Sequence, residues 1–145
     1  MAQGKRGLLS APALLLGAFL AVGCSTEPIP RDYRWVYGTW DWVKAVGEPN
    51  FEMTPQSEGF ELKYVISRGG LFEIYRSGFL EVNTSFTFSW DTVSSPGDTL
   101  GVLEFADSTA YTGRRQLLRR VGADTLVLFS PFIDAPHVYF VRSSR

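Results

Sequence analysis

The chain has 145 residues, with 14 Lys and Arg against 15 Asp and Glu for a formal net charge of −1, and 14% of its residues are aromatic. That balance excludes a general nucleic-acid binder, which needs a basic face, and the length suits one domain. A single cysteine excludes an internal disulfide, and a single histidine, His137, excludes multi-histidine metal sites and leaves a serine triad no choice of base.

At the N-terminus, Lys5 and Arg6 precede an apolar run from Leu8 to Val22. The run is about 15 residues, short of the roughly 20 that a bilayer-spanning helix needs, and it has no polar face, so it reads as a secretory signal rather than an anchor or a core helix. It ends in Leu20-Ala21-Val22-Gly23-Cys24. Small residues closing on a cysteine resemble the lipobox of bacterial lipoproteins. That resemblance implies that residues 1–23 are cleaved and that the Cys24 thiol is acylated, making the lipid membrane a partner of the mature chain. An ordinary signal peptide and a buried cysteine are the other readings. Ser25, where an aspartate would favour inner-membrane retention, points to a cell-envelope location at the outer membrane.

Cleavage would leave 122 residues, with 12 basic and 15 acidic side chains and a net charge of −3. Stability then rests on the core, for which 20 aromatic residues remain. Ser25 to Asp32 carries two prolines and no apolar period, so residues 24–34 are expected to be a lipidated cysteine with a short disordered tether. At about 3.1 Å per residue such a tether reaches on the order of 25 Å. The domain is expected over residues 35–145.

Strand patterns fill that domain. Val36 to Val46 is the first candidate, and Phe60, Leu62, Tyr64 and Ile66 alternate with polar residues before Arg68-Gly69-Gly70 and a partner strand, Leu71 to Arg76. The clearest alternation runs from Leu80 to Trp90, with Leu80, Val82, Thr84, Phe86, Phe88 and Trp90 on one face. Thr99 to Ala106, Thr109 to Val121, Thr125 to Ser130 and Val138 to Ser143 follow, separated by turn clusters such as Ser94 to Asp98 and Gly122 to Asp124. Gly113 to Val121 also fits a short helix ending at Gly122, but an eighth strand closes the sheet. The expectation is an all-β fold, an eight-stranded antiparallel up-and-down barrel that removes its own edges by closing.

Tyr37-Gly38-Thr39-Trp40-Asp41-Trp42 on the first strand resembles the Gly-x-Trp signature of lipocalins. The resemblance extends to Gly122 to Leu128 and His137 to Arg142, which look like the closing hairpin of the small lipocalin-like lipoproteins of bacteria. It implies that Gly38 lets the strand kink, that Trp40 plugs the barrel floor, and that Arg142 on the last strand packs across Trp40. The helix that lipocalins carry after their eighth strand has no counterpart before Arg145.

No phosphate loop, nucleophile elbow or metal-ligand spacing is present, so no enzyme activity, metal or cofactor is expected. Glu61, Glu73, Glu81 and Glu104 lie on candidate strands, and alternation places Glu61 and Glu81 away from the apolar faces. Arg114, Arg115, Arg119 and Arg120 form either a solvated face or a patch for anionic headgroups. An eight-stranded barrel holds packed side chains or one small ligand. The leading expectation is a small apolar or amphipathic ligand lined by Trp42, Phe60, Leu62, Tyr64, Phe86, Phe88, Trp90 and Tyr139. The rival is a structural or interaction lipoprotein with a solid core, contacting envelope proteins or polysaccharide.

Overall fold

The structure is a computed structural model, and it describes residues 27–91, 99–132 and 134–144. Residues 1–23, Cys24 and the turn cluster Ser94 to Asp98 lie outside the described residues. A 3-10 helix, Arg31–Val36, leads into β1 (Gly38–Gly47); β2 (Phe51–Met53) and α1 (Pro55–Glu58) follow, and then β3 (Leu62–Ile66), β4 (Leu71–Arg76), β5 (Phe79–Asp91), β6 (Leu100–Thr109), β7 (Gly113–Val121), β8 (Thr125–Phe129) and β9 (His137–Arg142). Each strand from β3 onward pairs antiparallel with the next, β3 pairs with β1, and β9 returns to β1 with Trp40 opposite Arg142 and Trp42 opposite Phe140. Eight strands therefore close into an up-and-down barrel, as expected. The short β2 adds a hairpin onto the upper half of β1, pairing Ala45 with Met53.

Gly113–Val121 is a strand, because it buries both of its faces. Leu118 joins the inner core while Leu117 joins a second cluster with Val102, Val127 and Phe129 on the other side of the wall. A helix would present one stripe. The β3–β4 turn works as the sequence suggests: Ser67 N–H donates to the Leu71 carbonyl at 2.9 Å, and Gly70 takes φ 80°, a conformation that costs a glycine nothing.

The floor is built around Trp40, which is 1% exposed. Its indole Nε1–H donates to the Val36 carbonyl at 2.7 Å. Above it lies Arg142, its guanidinium carbon 4.3 Å from the ring centroid, donating to the Tyr37 carbonyl at 3.1 Å and the Trp35 carbonyl at 2.5 Å. The first strand, the last strand and the 3-10 helix are thus joined at one point. Gly38 is required there twice over: its φ is 131°, and a β-carbon would stand 2.6 Å from Arg142 Nη1.

The tether expected over residues 24–34 is not extended once the described chain begins. Ile29 is 2% exposed and part of the core, its N–H donating to the Tyr37 hydroxyl at 3.2 Å. Arg31 to Arg34 belong to the 3-10 helix, and Tyr33 reaches under the barrel to accept from Gly101 N–H at 3.1 Å. Pro28 and Pro30 read as an extended linker by composition, but rigid flanking residues also lower the entropy lost when Ile29 is buried.

At the centre of the barrel, Tyr64 is 2% exposed and packs on Phe140 and Phe72 with ring centroids 4.3 and 5.1 Å away. Burial holds its hydroxyl well above the ordinary tyrosine range, and nearby Tyr111 adds to the effect. The folded state therefore keeps a proton that the unfolded chain releases above about pH 10, so this contribution is intact below that pH and is lost as pH rises. Stability should fall by about 1.4 kcal/mol per pH unit above pH 10 from this group alone. Denaturant unfolding of Tyr64→Phe should show a slope shallower by that amount. An unchanged slope would mean that Tyr64 ionises freely inside the barrel. Some slope should remain, because Tyr37 is raised by burial and Tyr111 by its hydrogen bond to Glu81.

Candidate functional site

The interior is filled. Trp40, Phe72, Phe140, Ile74, Leu103, Leu118, Leu126 and Leu128 converge from strands all round the barrel, each 1% exposed or less. Of the residues expected to line a ligand, Trp42, Leu62, Tyr64 and Phe86 belong to this buried core, with Phe60 and Phe88 packed against its two ends. Trp90 is not in the lumen. It is 49% exposed and lies below the floor, edge-on to Tyr33 at 5.3 Å and to Phe88 at 5.0 Å. Tyr139 is outside the wall: the alternation that turns Val138, Phe140 and Arg142 inward turns it outward, onto the second cluster and under Lys44 Nζ at 5.6 Å.

The open end is crossed by a continuous strip of contacts. Trp42 stacks on Phe60 with centroids 5.7 Å apart and planes at 23°. The Arg76 guanidinium lies over Phe60 at 4.1 Å and reaches Glu81 at 4.0 Å, and Glu81 accepts a short hydrogen bond from Tyr111 on the far side. Phe60 is therefore a cover over the core rather than part of a lumen wall. Glu73 lies by the Tyr75 hydroxyl at 3.5 Å, and Glu104 holds Ser89 at 2.9 Å and Arg115 at 3.4 Å. The four strand carboxylates are spread over the wall and mouth, not paired as an acid and a base.

Beside this strip lies an open cleft of about 620 Å³, lined by Asp41, Trp42, Pro55, Gln56, Glu61, Leu62, Lys63, Tyr75, Ser77 and Gly78. It forms where β1 and β3 part company. Their pairing stops at Asp41–Lys63, after which β1 takes β2 as its neighbour and the chain returns through α1. The cleft wall is local sequence logic: Thr54 caps α1 with a reciprocal pair of bonds to Ser57, Pro55 occupies the first turn, and Gly59 ends the helix at φ 74°. These start and stop signals were readable in Thr54-Pro55-Gln56-Ser57 and Gly59.

The lining is mixed. Lys63 Nζ and Asp41 form a 3.7 Å ion pair on one side, while Leu62 and the Trp42 edge supply apolar surface on the other. Trp42 Nε1 is buried without a hydrogen-bond partner, a state that costs about 1–3 kcal/mol. Donors and acceptors around an apolar patch suit an amphipathic molecule better than a hydrocarbon chain. His137 stands apart from all this, 4.9 Å from the Phe129 ring on the outer wall. Among the described residues no group of three or more His, Cys, Asp or Glu is placed to hold a metal ion. The chain matches no protein-family model, no curated protein and no solved structure.

Proposed function

We propose that this chain is a lipid-anchored cell-envelope protein whose lipocalin-like barrel binds a small amphipathic molecule in the cleft beside Trp42, without catalysing a reaction. The carrying observation is the contrast between a lumen packed solid and a cleft of about 620 Å³ at its mouth, walled by Trp42, whose buried N–H lacks a partner. That volume lies within the range of small-molecule sites. The anchor rests on the run ending in Leu20-Ala21-Val22-Gly23-Cys24, and Ser25 favours the outer membrane. Lipocalin kinship is supported by Gly38, Trp40 and Arg142 meeting at the floor.

The second reading is an interaction lipoprotein with a solid core. Phe79, 77% exposed next to the Ser77-Gly78 turn at the mouth, favours it, as does Phe132, 78% exposed on the outer wall beside Phe129 and His137. Native mass spectrometry of the protein extracted in mild detergent separates the two. Small-molecule binding predicts an added mass that is retained by the wild type and lost in Gln56→Trp, whose indole fills the cleft from an exposed helix position. A clean unliganded mass for the wild type, with an intact folded charge distribution, would transfer the function to the exposed mouth.

A further inference from the structure

The described body begins at Glu27, three residues after Cys24, and it begins at the floor. The Glu27 carboxylate is held by Arg34 at 2.9 Å and by Arg68 of the β3–β4 turn at 3.1 Å. Pro28 lies against that same turn, its Cγ 3.5 Å from where a β-carbon on Gly70 would be. Three extended residues span at most about 10 Å, far less than the reach of a free eight-residue tether. On the reading that Cys24 carries lipid, the floor is the end that faces the bilayer. The mouth, at the other end of strands such as the ten-residue β1, points away from it.

The floor has the chemistry for that position. Arg31, Arg34, Arg68 and Arg120 are all exposed there, and the Arg120 guanidinium lies 5.5 Å over the half-buried Trp35 ring. Trp35 and the exposed Trp90 are joined through Tyr33, with centroids 6.0 and 5.3 Å from it. Among the described carboxylates at this end, Glu27 is neutralised between two arginines and Asp91 is buried, while Asp32 and Asp124 are exposed. Arginines that reach phosphate and indoles that sit at headgroup depth are what a bilayer surface selects.

We propose that the floor is a second, non-covalent membrane contact: Arg31 and Arg120 bind the phosphates of anionic phospholipids, with Arg34 and Arg68 held beside them by Glu27, while Trp35 and Trp90 enter the headgroup layer. The barrel then stands on the membrane with the Trp42 cleft directed into the aqueous compartment. Its ligand arrives from solution, not laterally from the bilayer.

The test uses the mature protein purified from membranes and reconstituted into phosphatidylcholine vesicles with or without phosphatidylglycerol, each containing phospholipid brominated near the headgroup. Tryptophan emission should be quenched, more strongly with phosphatidylglycerol, and Trp90→Phe should remove a large share of the quenching while preserving the ring contacts to Tyr33 and Phe88. Emission insensitive to brominated lipid in both vesicle types, or quenching unchanged in Trp90→Phe, would overturn the proposal. The mass of the Cys24-containing peptide reports separately on the anchor. If it carries no acyl group, the anchor reading falls, and the floor must then hold the protein to phosphatidylglycerol vesicles at low salt by itself. In that case Arg31→Gln and Arg120→Gln should each weaken binding about fivefold, and absence of binding would sink the floor contact as well.

Discussion

Replacing Trp40 by alanine should lower the free energy of unfolding by about 3–5 kcal/mol, the range for deleting a fully buried large aromatic. Three losses act together. The indole leaves a cavity at the closed end of the barrel, where it was 1% exposed. The Val36 carbonyl loses its 2.7 Å donor. Arg142 loses the ring beneath it while still tied to the carbonyls of Tyr37 and Trp35. Because a domain of this size is stable by only about 5–15 kcal/mol, the variant should populate the unfolded state visibly at moderate urea. Equilibrium urea unfolding is the measurement, with Trp40→Phe as a partner variant that refills part of the volume. A loss under about 1 kcal/mol would show that the indole does not carry the floor.

Gly101→Val should be nearly as damaging, for a different reason. Gly101 needs no unusual φ; it needs space. A β-carbon there would stand 2.6 Å from Tyr33 Cε1 and 2.7 and 2.8 Å from two ring atoms of Phe88, closer than real contacts allow. Both rings are wedged, Tyr33 against Phe88 and Trp90, so relief means driving Tyr33 out and breaking its 3.1 Å bond to Gly101 N–H. Overpacking of this kind costs about 1–3 kcal/mol, and the lost hydrogen bond adds about 1 kcal/mol. A double-mutant cycle with Tyr33→Ala checks the mechanism: the valine should cost measurably less once the ring is gone. Strict additivity would show that Tyr33 is not what the β-carbon meets.

Much of the fold was legible because a barrel wall reports itself by alternation. Leu80 to Trp90 and Phe60 to Ile66 each declare one buried face, and the glycine-containing turns between runs set the antiparallel order. What alternation does not report is the end of the barrel. Trp90 has the right parity for the lumen and still lies below the floor, because period 2 assigns a face and says nothing of height along the axis. Tyr139 shows the converse. Its parity, opposite to that of Phe140 and Arg142, already placed it outside, and its aromatic character was a poor reason to expect it within.

The site was less legible than the wall. Its cleft exists because β1 exchanges β3 for β2 after Asp41, and strand exchange leaves no periodic trace. The capping signals around Thr54 and Gly59 could have located α1, but not what the helix leaves open beside it. Likewise the segment around Ile29 reads as linker by composition, since a single isoleucine between two prolines has no period; only the completed floor offers it a place to be buried.

By itself the sequence determined an all-β barrel of eight strands, the Gly38-Thr39-Trp40 motif on its first strand, and an N-terminal run ending at Cys24, because these depend on local periodicity and on residue types at short spacing. Tertiary structure alone decided that the lumen is filled with side chains, that a cleft of about 620 Å³ opens at the mouth, and that the described floor starts three residues from Cys24. Those are questions of how side chains from distant strands share one volume, and volume is settled only when all eight strands close around it.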